Sequence, residues 1–166
     1  MSTALNVLFL CTGNSARSIL SEAYLNHRGA GRFHAFSAGS NPTGSVNPHA
    51  LETLRAAGIV PTGARSKSWD EFAEAGAPHM DFIITVCDNA AGETCPIWPG
   101  HPASAHWGLP DPAAATGSEQ DICRIFDAVF TTIRLLIDAL VAAPAEALDP
   151  ARARATLARI GRDILA

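Results

Sequence analysis

Apolar and polar positions along this chain sort into short, nearly solid apolar runs separated by stretches with helical spacing. Residues 5–10 (LNVLFL) and 81–86 (DFIITV) are almost wholly apolar, as in strands covered on both faces of a parallel sheet. Residues 33–38 (FHAFSA) read as another strand, and 104–108 as a weaker fourth. Segments 16–28, 48–58 and 68–75 have helical spacing, with Pro48 and Gly58 standing where a helix starts and stops. From 118 to 141, Ile122, Ile125, Phe126, Val129, Ile133, Leu136, Ile137 and Leu140 recur at threes and fours, which predicts one long helix. Asp149-Pro150 then reads as an N-cap and first helical residue, opening a last helix with Leu157, Ile160 and Ile164 on one side. The pattern predicts an α/β open sheet in a single domain over residues 1–141, followed by a helical C-terminal extension over 142–166.

Composition narrows the functions this fold can carry. The chain has 166 residues, 48% of them hydrophobic, and a formal net charge of −4, enough for one real core and ill suited to holding nucleic acid. The apolar run at 5–10 has no Lys or Arg before it and is too short to span a bilayer, so a cytoplasmic protein without a membrane anchor is expected. Cys11, Cys87, Cys95 and Cys123 form no C-x-x-C pair and no zinc-like spacing. In a reducing compartment they are expected as thiols, with reactive roles competing with simple burial.

One stretch, VLFLCTGNSARS, carries the chemistry. Cys11 falls at the carboxyl end of the first strand, where open α/β sheets collect ligands, and just before a helix N-terminus. Thr12, Gly13, Asn14, Ser15 and Ala16 are small, so the loop can turn successive N–H groups inward as an anion cradle. Arg17 adds a planar fork for a tetrahedral oxyanion, and the hydroxyl of Ser18 can steady a thiolate. A free cysteine is only about 3% thiolate at neutral pH. The helix N-terminus and the guanidinium are expected to lower the Cys11 pKa below neutrality and make it a nucleophile. The second glycine and the lysine of a nucleotide-binding loop are missing. Alone, Cys11 reads as a buried thiol and Arg17 as a solvated helix residue. Their spacing across strand, loop and helix favours chemistry.

FLCTGNSARS resembles the signature of the low-molecular-weight tyrosine phosphatase fold, and more closely that of its thioredoxin-regenerated arsenate reductases. Further likenesses lie at SAGS (37–40), VNPHALETL (46–54), ITVCDNAAGETCPIWPG (84–100) and HWGLPDPA (106–113). The resemblance implies a four-stranded parallel sheet flanked by helices, and an enzyme that needs no metal or organic cofactor. It implies that Asp111, beyond the fourth strand, protonates the departing oxygen, a role for which an ordinary turn carboxylate is the alternative. Cys87 ends the third strand, next to the first in a flavodoxin-like order, and Cys95 follows seven intervening residues later. In the family's chemistry Cys11 attacks arsenate, Cys87 then attacks the sulfur of Cys11, and Cys95 carries the resulting disulfide outward to thioredoxin or glutaredoxin. Simple burial is the alternative for both cysteines, and it is the expectation for Cys123.

The departures are informative as well. Tyrosine phosphatases of this fold carry an aromatic pair after the proline that follows the acid, whereas Ala113 and Ala114 stand here, which favours a small bare oxyanion over phosphotyrosine. Ala16 replaces a further cysteine found in many of the reductases. Some members hold potassium with the equivalents of Asn14, Glu22, Ser37 and a downstream acid. Here Lys67 and Ser68 stand at that downstream point, so no bound potassium is expected: a lysine ammonium can stand in for the cation, with an exposed loop lysine as the alternative. Three other readings stay open: a phosphatase, a reductase coupled to glutaredoxin or a small thiol, and a non-catalytic oxyanion binder that would have no use for the nucleophile.

Overall fold

In the computed structural model, residues 4–87 and 102–165 are described. Strand β1 spans Leu5–Cys11, β2 Phe33–Gly39, β3 Phe82–Thr85 and β4 Ala103–His106. They form one parallel sheet in the order β2-β1-β3-β4. The helices are α1 (Arg17–Arg28), α2 (Pro48–Ala56), α3 (Glu119–Ala142) and α4 (Ala153–Leu165). The expected α/β open sheet is therefore present, its four strands close to their predicted places.

The solid apolar run of β1 reflects burial on both faces. Val7, Phe9 and Cys11 enter the larger core with residues of α1, α3 and α4, while Leu8 and Leu10 face the smaller core of Trp69, Phe72, Met80 and Ile83. The two-residue period of the strand thus puts the Cys11 side chain on the same face as the long helices. α3 is entered through a capping box, in which Ser118 and Asp121 satisfy each other's backbone N–H groups. α2 begins at Asn47, whose Oδ1 accepts from the His49 N–H, with Pro48 at the first helical position.

Three expectations are corrected. Residues 68–75 form only a 3₁₀ turn, Trp69–Phe72, because just two apolar anchors, three residues apart, face the core, a spacing that suits a short 3₁₀ segment. α4 begins at Ala153, not at Pro150. Asp149 still caps the entering turn, its Oδ1 accepting from the Arg152 N–H at 2.9 Å. Cys123 is exposed, not buried. It lies seven residues before the buried Phe130, on the same helical face, but α3 from Glu119 to Ile125 has no fully buried residue. Periodicity gives the face, not how far along the helix the core extends. Among the described residues, no helix is long and apolar enough to cross a membrane.

Candidate active site

Strand register brings the site residues to one edge. Cys11 pairs with Gly39 at the end of β1, Thr85 pairs with His106 at the end of β3, and Cys87 and Asp111 follow β3 and β4 beyond the same carboxyl edge. The loop 12–16 is held from outside through its carbonyls. The carbonyl of Cys11 accepts from Ser40 N–H at 3.2 Å, that of Thr12 from Asn41 at 2.9 Å, that of Gly13 from Thr43 at 3.0 Å and that of Ser15 from Asn47 at 2.9 Å. With the carbonyls pinned outward, the N–H groups of Gly13, Asn14, Ser15 and Ala16 have no protein acceptor among the described residues. That is the arrangement of an anion cradle at the start of α1. Gly39 lies against this loop, where a β-carbon would run into the Thr12 carbonyl.

Asn14 is the keystone of the loop. It adopts φ +47°, a left-handed conformation that asparagine tolerates better than most residues. Its fully buried side chain donates to Ser18 Oγ at 2.7 Å and accepts from the Lys67 N–H at 2.9 Å. Both the turn of the loop and the position of Ser18 depend on it.

Arg17 Nη1 donates to the Leu109 carbonyl at 2.9 Å, and Nη2 lies 3.6 Å from Asp111 Oδ1. Its Nε is buried with no protein acceptor among the described residues. Asp111, which also accepts from the Ala113 N–H at 3.0 Å, is about half exposed. Cys87 is buried, takes part in a 3.5 Å hydrogen bond with Thr12 Oγ1, and its thiol neighbours that of Cys11 closely enough to act on its titration. This last contact, followed by burial, pushes the Cys11 pKa strongly up, against the opposing pull of Arg17 and the Thr12 N–H. The expected depression is opposed by this neighbour: two adjoining sulfurs share one negative charge more easily than two, so the rise attaches to the second ionisation of the pair, and the first supplies the thiolate. Cys87→Ala should therefore shift alkylation of Cys11 by iodoacetamide, followed by peptide mass mapping, to lower pH. An unchanged pH midpoint would show that Cys87 does not set the titration.

Below the loop lies a buried ionic cluster. Ser37 Oγ donates to Glu22 Oε1 at 2.8 Å, and Lys67 Nζ reaches Ser37 Oγ at 3.4 Å, the Arg65 carbonyl at 2.9 Å and Glu22 Oε1 at 3.8 Å. The ammonium of Lys67 thus sits among the side chains expected around it, and the lysine is 8% exposed rather than a surface loop residue. Burial raises the pKa of Glu22 and lowers that of Lys67, and each charge pulls the other partly back. Lys67→Met should destabilise the fold by about 3 kcal/mol. Without the ammonium the Glu22 pKa rises further above its unfolded value, so the native state keeps a proton that the unfolded chain has released. Stability then falls as pH rises through that window, and urea unfolding should show a larger deficit at about pH 8 than at about pH 5. Equal deficits would mean that Lys67 does not offset Glu22.

Cys95 lies outside the described residues. Sequence reading missed the clamps from Asn41, Thr43, Asn47 and Ser66, whose Oγ also donates to the Gly13 carbonyl at 3.1 Å. Their one visible signal was the Gly, Pro, Ser and Asn richness of residues 39–48. It also missed the Leu109 carbonyl, since a backbone acceptor leaves no mark in the sequence.

Residues 6–150 match the model of the low molecular weight phosphotyrosine protein phosphatase family, and the chain belongs to that family. Among curated relatives it is similar to the arsenate reductase of Bacillus licheniformis, 37% identical over 124 residues, 74% of this chain and 85% of that protein. Among solved structures it resembles an arsenate reductase in the phosphate binding state, with a TM-score of 0.68 and 26% identity over 83% of this chain and 97% of that one. It also resembles a thioredoxin-dependent arsenate reductase of Corynebacterium glutamicum, with a TM-score of 0.55 and 26% identity over 82% of this chain and 63% of that one.

Proposed function

We propose that the protein reduces arsenate to arsenite through Cys11 and an intramolecular disulfide relay. The observation that carries this reading is the second buried thiol, Cys87, neighbouring the Cys11 thiol beside a loop built for an oxyanion. A phosphatase needs a nucleophile, an arginine and an acid, and has no use for that second sulfur. The names of the relatives agree with the reading.

Arsenate is held by the loop N–H groups and by the guanidinium of Arg17, whose buried Nε has no protein acceptor among the described residues. The Cys11 thiolate forms a bond to arsenic(V) while a hydroxide leaves, protonated to water by Asp111. Ser18, already accepting from Asn14, has its own hydroxyl proton to offer the Cys11 sulfur. The Cys87 thiolate then attacks the Cys11 sulfur. The S–As bond breaks, its electron pair stays on arsenic, and arsenite departs, leaving a Cys11–Cys87 disulfide. Two electrons have passed from the two thiols to arsenic. Cys95 attacks Cys87, frees Cys11 and forms Cys87–Cys95, which a thioredoxin-type dithiol reduces. A Corynebacterium glutamicum relative described as thioredoxin-dependent supports that donor. Lys67 supplies in this chain the positive charge that a bound cation would otherwise bring to Glu22, Ser37 and the underside of the loop.

Arsenite production with thioredoxin, its reductase and NADPH, compared with glutathione plus glutaredoxin, tests the assignment. Turnover is expected with the first system. Turnover with the second alone would move the chain to the glutaredoxin-coupled type. Hydrolysis of an aryl phosphate without arsenite formation under either would make it a phosphatase.

A further inference from the structure

We propose that Trp107 is a positioning residue through which the C-terminal helix α4 holds the segment carrying Leu109 and Asp111 against Arg17. The family match ends at residue 150, and α4, Ala153–Leu165, lies wholly beyond it. This helix nevertheless packs into the same core as the sheet, with Ala153, Leu157 and Ile160 buried beside Trp107 and Leu109.

The contact between α4 and Trp107 is a fitted one. Trp107 is 1% exposed, and its Nε1 donates to the Leu157 carbonyl at 3.0 Å. A carbonyl inside a helix can be reached by an indole only where the helix surface is bare, and the residue one turn on, Gly161, provides that. A β-carbon there would lie 2.9 Å from Trp107 Cδ1 and 3.2 Å from Nε1. Glycine is a poor choice inside a helix, and close approach of the indole accounts for it.

From Trp107 the connection runs to the site in steps of one bond. The Trp107 N–H donates to the Thr85 carbonyl at 2.8 Å, and the Leu109 N–H to the Val86 carbonyl at 3.0 Å, which fixes the segment after β4 beside the residue preceding Cys87. The Leu109 carbonyl in turn receives Arg17 Nη1 at 2.9 Å, and Asp111 Oδ1 lies 3.6 Å from Nη2. Among the described residues, Asp111 is tied by its own turn, its Oδ1 accepting from the Ala113 N–H and its carbonyl from the Ala114 N–H at 3.4 Å, and by this ion pair, and its side chain is the most exposed of the group. Its placement therefore rests on the stretch 107–109, and that stretch is seated by α4.

The inference rests on the reading of Asp111 as proton donor, and its test separates the two. The full-length protein and its Trp107→Phe and Gly161→Ala variants are compared on two esters, 4-nitrophenyl phosphate and phenyl phosphate, with Asp111→Asn as the reference for complete loss of the acid. Trp107→Phe keeps the ring and removes the donor, and Gly161→Ala pushes on the indole from the helix side. An acid matters most for the more basic leaving group, so kcat/KM on phenyl phosphate should fall about tenfold or more in each variant, a part of the loss expected for Asp111→Asn. On 4-nitrophenyl phosphate the fall should stay within about threefold. General loosening would lower both rates alike. Equal losses on the two esters, or none in variants that melt as single cooperative units, would overturn the positioning role. If one variant does not fold, the other decides. A leaving-group dependence unchanged in Asp111→Asn would instead overturn the role of Asp111, and this inference with it.

Discussion

Serine at position 11 should leave arsenate reduction and aryl phosphate hydrolysis below detection, with a loss on the order of 10⁴–10⁶-fold, in a protein that still folds. The exchange is nearly isosteric at a site 4% exposed, and the Thr12 N–H beside the sulfur can face a hydroxyl equally well. The structural penalty is therefore about 1 kcal/mol. The chemical penalty is of another order. A hydroxyl in this loop stays protonated at neutral pH, has no adjoining base among Thr12, Arg17 and Ser18, and makes a poor nucleophile. Calorimetry should find inorganic phosphate bound by the serine variant about as well as by the natural protein, because the cradle is built from backbone N–H groups and Arg17. Arsenite formation by a folded Cys11→Ser protein would place the nucleophile elsewhere.

How much of this was legible in the sequence depends on the range of each interaction. The edge position of Cys11 could be read because strand, small-residue loop, arginine and helix follow one another within a dozen residues, each with a local signature. The sign of the Cys11 pKa shift could not. Local features, the helix start and Arg17, pull it down, but the deciding contact is with Cys87, which β3 delivers from far along the chain. Helical period correctly gave Phe126 to Leu140 as the buried face of α3 and failed at Cys123, where the same face runs past the core. Trp107 passed as part of a motif, and Gly161 as one glycine among thirteen. Their meaning appears only when a helix that starts at Ala153 meets the end of β4. Interactions written in neighbouring residues were readable, and those written in the packing of distant ones were not.

Replacing Cys95 with serine should stop the enzyme after one arsenite per protein molecule, with Cys11 and Cys87 joined. The first two steps need only two neighbouring thiols, so attack on arsenate and release of arsenite proceed. The oxidation then has nowhere to go: Cys87 and Cys11 are 2% and 4% exposed, and a bond between them is shielded from a protein dithiol that must attack one sulfur in line. Cys123, the remaining thiol, is on α3 and exposed, and it is no part of the edge where Cys11 and Cys87 meet. Multiple turnover with thioredoxin should therefore fall by about a hundredfold or more, while aryl phosphate hydrolysis by the reduced variant survives, since it uses Cys11, Arg17 and Asp111 alone. A single-turnover arsenite count and peptide mapping under non-reducing conditions read the outcome. A stoichiometry near one with a Cys11–Cys87 link supports the relay. Undiminished multiple turnover would remove Cys95 from the electron path, and a link from Cys11 to Cys123 would replace Cys87 as the resolving thiol.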